Sequence, residues 1–400
     1  MASANHYQHI VVGSGGIGSA AAWWLADRSG GDVLVVEQFA LGHEFGSSQD
    51  HSRIIRKAYN TVEYTTLVEA NYATWREVER RADEQLVFTT GGLDLSPGTF
   101  GEGQLAGYAD ALAAVGVASK KMDAAEIRRR WPQWMLADDV VGLYQEDAGV
   151  LAIGKANATH RALARAAGAT FLENTPVRRL VSTGTKVEVH TDDEVFTADS
   201  VALAAGSWTV PLTETLGVSF PILLSQEQLT YFASPRLEEF APDRFPIWIW
   251  HGETDCYYGL PVYGAPGVKA GIDISGKVVT QETRSWEPDP SQRAHLTGWL
   301  SEHLPGAVGP ELYTKACVYD LPPDRNFILD LLPGHPRVAV FVGAGHAAKF
   351  ASFAGRCLAD LAFQGGTAHP VDAFSATRPA LTDPDYPVDY LFSGDSGSAP

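Results

Sequence analysis

The sequence predicts an α/β protein in which a doubly wound, nucleotide-binding domain is interleaved with an antiparallel-sheet domain. Three observations carry that prediction. A glycine-rich turn, Gly13-Ser-Gly-Gly-Ile-Gly18, lies between a short apolar run and an Ala/Trp/Leu-rich helical stretch. The segment from Phe220 to Val279 breaks into short pieces rich in Tyr, Trp, Gly and Pro, the pattern of an antiparallel sheet. Near the other end of the chain, the apolar run Val338 to Val342 enters Gly343-Ala-Gly-His-Ala-Ala-Lys349 and brings the N-terminal style back.

Taken in order, His9 to Val12 reads as a strand, Ser19 to Ala26 as a helix, and Val33-Leu-Val-Val36 as a strand apolar on both faces, as a buried parallel strand must be. Glu37 closes this βαβ unit. Tyr64 to Arg80 and Gly103 to Val115 have helical apolar spacing, as does Asn157 to Ala167. Val177-Arg-Arg-Leu-Val and the alternating Lys186-Val-Glu-Val-His-Thr lead to the turn signal Asp192-Asp193, and Ser200 to Trp208 is an apolar strand that stops at glycine. Ala351 to Phe363 reads as a helix, and residues from Pro379 onward read as an extended tail rich in Pro, Asp, Gly and Ser.

A chain of 400 residues with 45% hydrophobic content can bury a large core. Its 30 basic and 48 acidic residues give a net charge of −18, which repels a phosphate backbone and an anionic bilayer, so neither nucleic acid nor a membrane is an expected partner. Cys256, Cys317 and Cys357 are too few and too irregularly spaced for a disulfide framework or a Cys-x-x-Cys metal site; no metal is expected, and a reducing cytoplasm is. No targeting pattern is read at the N-terminus, and no run approaches the roughly 18 apolar residues of a membrane span.

The glycines at 13, 15 and 18 have separate tasks: a tight turn, close approach of a pyrophosphate, and close packing of helix on strand. The helix that starts at Gly16 and Ile17 offers N–H groups and a positive dipole to phosphates. Glu37, 19 residues beyond Gly18, is placed to accept the hydroxyls of an unphosphorylated ribose, with Gln38 beside it. FAD and NAD share this fingerprint.

Other segments choose between them. Gly46-Ser-Ser-Gln-Asp-His-Ser-Arg-Ile-Ile-Arg-Lys-Ala-Tyr59, Cys317-Val-Tyr, Asp324-Arg-Asn-Phe-Ile-Leu-Asp330 and Gly345-His-Ala-Ala-Lys-Phe350 resemble, in the same order, the flavin-contacting segments of the monomeric sarcosine oxidase family, which includes N-methyltryptophan and pipecolate oxidases, within the D-amino-acid oxidase superfamily. The resemblance spans nearly the whole chain and is weaker from about Phe88 to Asp147 and Arg236 to Asp255.

This resemblance implies an FAD-binding domain of Rossmann type, residues 1–86, 148–215 and 313–390, interleaved with a substrate domain, 87–147 and 216–312, and followed by a flexible tail, 391–400. It implies FAD joined through its 8α carbon to Cys317, with Ser47, Ser48, Arg53, Gly345 and His346 beside the flavin and Val177, Gly206 and Trp208 on the adenine side. Lys315, two residues before Cys317, is a candidate cation for activating the thiol. Arg56 and Lys349 match the pair that binds a substrate carboxylate, and an amino-acid oxidase needs such cations to hold the reacting carbon over the cofactor. Lys349 also counts among the cofactor contacts. Lys269 matches the family's oxygen-activating lysine, whose charge offsets a superoxide-like state. Tyr258 falls where the family has a substrate-side tyrosine.

Five residues depart from the pattern. Asp273 replaces a histidine four residues after Lys269, Gln49 replaces a histidine in the flavin loop, Ala348 replaces a phenylalanine, and the middle domain brings Trp248 and Trp250. Asp273 is placed to meet a cationic substrate nitrogen, and together these changes imply a bulkier or cyclic secondary amine in place of sarcosine. The expected reaction oxidises the C–N bond of a secondary amino acid to an imine and reduces O₂ to H₂O₂, by a monomer. A flavin-dependent dehydrogenase using another acceptor and a non-catalytic flavin-binding module are the alternatives.

Overall fold

The computed structural model describes residues 5–388. The apolar runs of the N-terminal region become neighbours in an eight-stranded sheet whose parallel part runs Thr170–Leu172, Val33–Val36, His6–Val12, Val195–Leu203 and His335–Val342. Val33 to Val36 are buried throughout, as the continuous apolar run requires. Ile328–Leu332 adds an antiparallel edge, and the hairpin Arg179–Ser182/Val187–His190 extends the sheet from the long strand Val195–Leu203. The helices Gly16–Ser29 and Ala351–Gln364 pack on it, and Ile153–Ala166 packs against Gly16–Ser29. Gly355 permits this closeness, because a Cβ there would sit 2.5 Å from Cβ of Ala20.

The middle of the chain forms a second, nine-stranded sheet. Its order is Lys277–Val279, Leu223–Phe232, Val268–Asp273, Cys256–Leu260, Ile247–His251, Gly92–Ser96, Val141–Gln145 and Lys120–Asp123, with Glu311–Leu321 paired along Leu223–Phe232. The expected antiparallel character holds except where Ile247–His251 runs parallel to Gly92–Ser96. A three-stranded sheet, Arg53–Ile55, Gly149–Leu151 and Val87–Thr89, joins the two. The domain boundary placed at residue 313 therefore falls inside a strand of the second sheet, because Glu311–Leu321 finds its backbone partners there.

Two expectations change. Residues from Pro379 onward do not begin an extended tail: Pro379–Thr382 is a short helix whose Ala380 and Leu381 are buried, with proline at the first turn where its missing N–H costs nothing. The tail placed at 391–400 lies outside the described residues. Trp248 and Trp250 do not line a substrate pocket; they pack on Trp299 of the helix Pro290–His303 at ring separations of 5.5 and 5.4 Å. Alternation along the strand sends Ile249 and His251 the other way, toward the cavity. Among the described residues no helix is long and apolar enough to cross a membrane.

Candidate active site

A single cavity of about 1080 Å³ runs from the glycine turn to Lys349. Of the residues singled out in the sequence for the site, all line it except Gly18, Trp248 and Trp250. Gly18 stands behind the turn, where a Cβ would lie 1.9 Å from the carbonyl oxygen of Gly13. Gly13 itself has φ 95°, and a Cβ on it would meet the Ala204 carbonyl at 2.5 Å. The turn is therefore a main-chain cradle that side chains would fill.

Glu37 ends the strand Val33–Val36 and accepts the Ser14 N–H at 2.7 Å and the Phe39 N–H at 3.0 Å, with His43 at 3.4 Å. Burial disfavours its charge, but these donors prevail and hold the carboxyl below its ordinary range, so it is ionised. Ser48 accepts the Gly16 N–H at 2.8 Å and so ties the loop after the second strand to the helix start. Val177, Gly206 and Trp208 line this same end, with Gln38 and Ile17.

The loop from Ser47 to Arg53 is fastened to the strand that carries Cys317. The Ser47 hydroxyl donates to the Val318 carbonyl, and Gln49 donates through Nε2 to the Ala316 carbonyl at 2.8 Å. Arg53 turns back onto the carbonyls of Ser52 and Ser47, at 2.8 and 2.9 Å. Cys317 is buried with its thiol pushed up to about 11 by burial, while Arg53 and Lys269 pull it down. These two are the cations that favour the thiolate. Lys315 is instead engaged by Glu44, which corrects its assignment as the local cation. Opposite Cys317 in the ladder lies Glu227, whose carboxyl burial raises to about 7 while Ser225 and the N–H groups of Ser275 and Gly276 hold it.

The far end of the cavity is built from ion pairs. Arg56 donates to Asp94 at 2.6 Å, and the same Asp94 oxygen meets His251 Nε2 at 2.9 Å. Asp273 is held by two Arg325 nitrogens at 2.9 and 3.2 Å, which corrects its expected role: the carboxylate already has a guanidinium and is not a free partner for a substrate nitrogen. Lys269 pairs with Asp50 at 2.6 Å. Lys349 differs. Among the described residues its ammonium has no hydrogen-bond or ion-pair partner, only the face of Tyr59 at 5.5 Å. Burial, then Arg56, pulls its pKa down to about 7. Its carbonyl is pinned by Trp75 Nε1 at 2.9 Å and Asn71 Nδ2 at 3.1 Å, so the lysine is placed while its charge stays available.

His346 lies against the same wall and donates through Nε2 to the Arg325 carbonyl at 3.1 Å. Burial, with Lys349 and Arg325 nearby, drives its pKa well below the usual value, so the ring is neutral. Tyr258 lies over Gly271, where a Cβ would meet its hydroxyl at 2.5 Å, and burial keeps the phenol protonated. Gly345 has φ 77° and its absent Cβ would fall 2.4 Å from Tyr319. Asp320 accepts the N–H groups of Gly343 and Gly345 at 3.2 and 3.3 Å and shapes that loop.

Sequence reasoning missed Asp50, Asp94, Asp320 and Arg325. Asp94 left one signal: a carboxylate inside the otherwise apolar and small strand Gly92–Ser96, where burial demands a partner.

The donor set fits FAD: an ionised carboxylate and a glycine cradle at one end, a thiol midway along the lining, and a second glycine loop beyond. The comparisons agree. Residues 8–361 match the FAD dependent oxidoreductase family, DAO. The monomeric sarcosine oxidase of Bacillus sp. is 31% identical over 385 residues, covering 94% of this chain and 97% of the relative. The N-methyl-L-tryptophan oxidase of Escherichia coli is 33% identical over 366 residues, covering 89% and 95%. Among solved structures, NikD, an unusual amino acid oxidase essential for nikkomycin biosynthesis, superposes with a TM-score of 0.82 at 30% identity, covering 93% of this chain and 97% of that one. The chain belongs to the FAD dependent oxidoreductase family and is an enzyme of its amine-oxidising branch.

Proposed function

We infer that the protein is an FAD-dependent oxidase of a secondary amino acid, N-methyl or cyclic, that converts its C–N bond to an imine and O₂ to H₂O₂. The observation that carries this reading is Lys349: an ammonium that, among the described residues, has no hydrogen-bond or ion-pair partner, beside Arg56, at the end of a cavity whose other end fits a dinucleotide. A carboxylate is the group that such a pair selects. Arg56 keeps one nitrogen on Asp94 and lines the cavity together with Lys349, so a substrate carboxylate that bridges the two leaves the existing pair in place.

Bound FAD supplies two-electron acceptance from the carbon beside the substrate nitrogen. The chain's residues do the rest. Arg56 and Lys349 fix the carboxylate and so the reacting carbon. Tyr258 and Tyr319, both half-buried and protonated, form apolar walls with hydroxyl tips. The nitrogen reacts as the neutral amine, since a protonated one has no lone pair to release; Asp273, neutralised by Arg325, does not hold it as a cation. Lys269 is the cation offered to dioxygen.

Cys317 is the proposed anchor for FAD. Its sulfur would hold the cofactor, with Arg53 and Lys269 favouring the thiolate, and FAD would supply the carbon of that bond and the acceptance of its two electrons. Acid precipitation tests it: yellow colour stays in the pellet when the link exists and moves to the supernatant when it does not.

Ala348 leaves the cavity wall open where a larger side chain would close it, which supports a substrate larger than sarcosine. Peroxide release with sarcosine, N-methyl amino acids, pipecolate and proline tests this. A bulkier or cyclic amine turns over with the highest kcat/KM; sarcosine leading by a wide margin contradicts it. A monomer in the cytoplasm, with two interleaved domains and the strand Glu311–Leu321 kept whole in the second, completes the proposal.

A further inference from the structure

Lys269 is almost sealed from solvent, with 2% of its side chain exposed, and its partner Asp50 is fully sealed at 0%. The ammonium donates to Asp50 Oδ2 at 2.6 Å and to the Ser52 carbonyl at 2.6 Å. Asp50 achieves this from a left-handed backbone, φ 81°, which costs a non-glycine residue on the order of 1 kcal/mol or more and persists only where its surroundings enforce it. Tyr231 donates to the same carboxylate oxygen at 3.0 Å, and Arg53 stands 3.8 Å away. Three groups thus converge on one oxygen of a strained residue at the cavity wall.

We propose that Asp50 is a positioning residue for the oxygen step: it fixes the Lys269 ammonium at the cavity wall and is the counter-ion that preserves its charge while dioxygen is reduced. This rests on Lys269 being the oxygen-side cation. Dioxygen takes two electrons from the reduced flavin and two protons, and leaves as H₂O₂. After the first electron it is an anion, which an ammonium stabilises and a neutral amine does not.

The charge is not secure without Asp50. Removing an ammonium from water costs several kcal/mol. The groups facing it are Asp50 from the loop, Arg53 from the strand Arg53–Ile55, Tyr231 from Leu223–Phe232 and Cys317 from Glu311–Leu321. Tyr231 and Cys317 are raised by burial and neutral, and Arg53 repels, so Asp50 is the one anion in this set. Even so, burial first and Arg53 second bring Lys269 down to about 7.

Asp50→Asn tests the proposal on the holoenzyme, since asparagine tolerates the left-handed backbone. After anaerobic reduction, reoxidation by O₂ is followed from about pH 6 to 9. Its alkaline decline shifts down by one pH unit or more, so the rate at the higher pH falls about tenfold, while reduction by substrate stays within about twofold. A readout apart from turnover is competitive acetylation of Lys269 by acetic anhydride, read by peptide mass spectrometry, whose midpoint moves to lower pH in the variant. Reoxidation that is unchanged, or faster at every pH, overturns the role of Asp50. Lys269→Met separates the failures: if it leaves reoxidation intact, Lys269 itself is misassigned; if it slows reoxidation and Asp50→Asn does not, only the present proposal falls. Should Asp50→Asn not accumulate, Asp50→Gly suits the same backbone and carries the same outcomes.

Discussion

The cavity is lined by two kinds of material. Around Gly13, Ser14, Gly16, Gly343 and Gly345 the contacts are made by main chain, with N–H groups committed to Glu37, Ser48 and Asp320. Around Arg56, Asp273 and Lys269 they are made by side chains in pairs, each cation meeting a carboxylate at 2.9 Å or less. The first kind leaves no room for an added atom at Gly13, Gly18 and Gly345. The second kind tolerates exchange of partners, so the same framework can serve different amines.

The largest test of that difference is a single methyl group. Gly18→Ala places a Cβ against the Gly13 carbonyl oxygen at 1.9 Å, and neither backbone segment can yield without moving the turn. Flavin content is expected to fall at least tenfold, with a lower melting temperature from overpacking of about 1–3 kcal/mol. Normal flavin content by absorbance would break the claim that the glycine turn is rigid.

The same contrast explains what could be read from the chain. Backbone cradles leave local marks: Gly13 to Gly18, Glu37 after four apolar residues, and Gly343 to Lys349 are each contiguous, and all but Gly18 and Ala344 fall on the cavity. Ion pairs leave none, because their members are distant: Arg56 and Asp94 are 38 residues apart, Asp273 and Arg325 52, Lys269 and Asp50 219. Asp273 was therefore legible as an acid in the site but not as half of a pair. Trp248 and Trp250 were misplaced for a related reason, since the two faces of a strand are equally apolar here and periodicity alone does not say which one faces the ligand.

A smaller effect sharpens the cationic end. In the free enzyme Lys349 titrates near 7, lowered by burial and by Arg56. The protonated form binds carboxylates, so affinity for a simple carboxylate inhibitor is full below that pH and declines as pH rises through it. Bound inhibitor in turn favours the charged form and moves the midpoint upward. An inhibitor constant that stays flat from about pH 6 to 9 would show that Arg56 alone holds the carboxylate.

The central claim is that one cavity holds FAD against a carboxylate-bearing secondary amine gripped by Lys349. Anaerobic mixing with an N-methyl or cyclic amino acid, followed by flavin absorbance, tests it most directly. Wild type should bleach fully with one equivalent of substrate, and Lys349→Met should retain its flavin spectrum yet lose a hundredfold or more in the bleaching rate constant per unit substrate concentration, about 3 kcal/mol. A wild-type flavin that does not bleach with any such amine, or a Lys349→Met variant that bleaches as fast as wild type, would contradict the account.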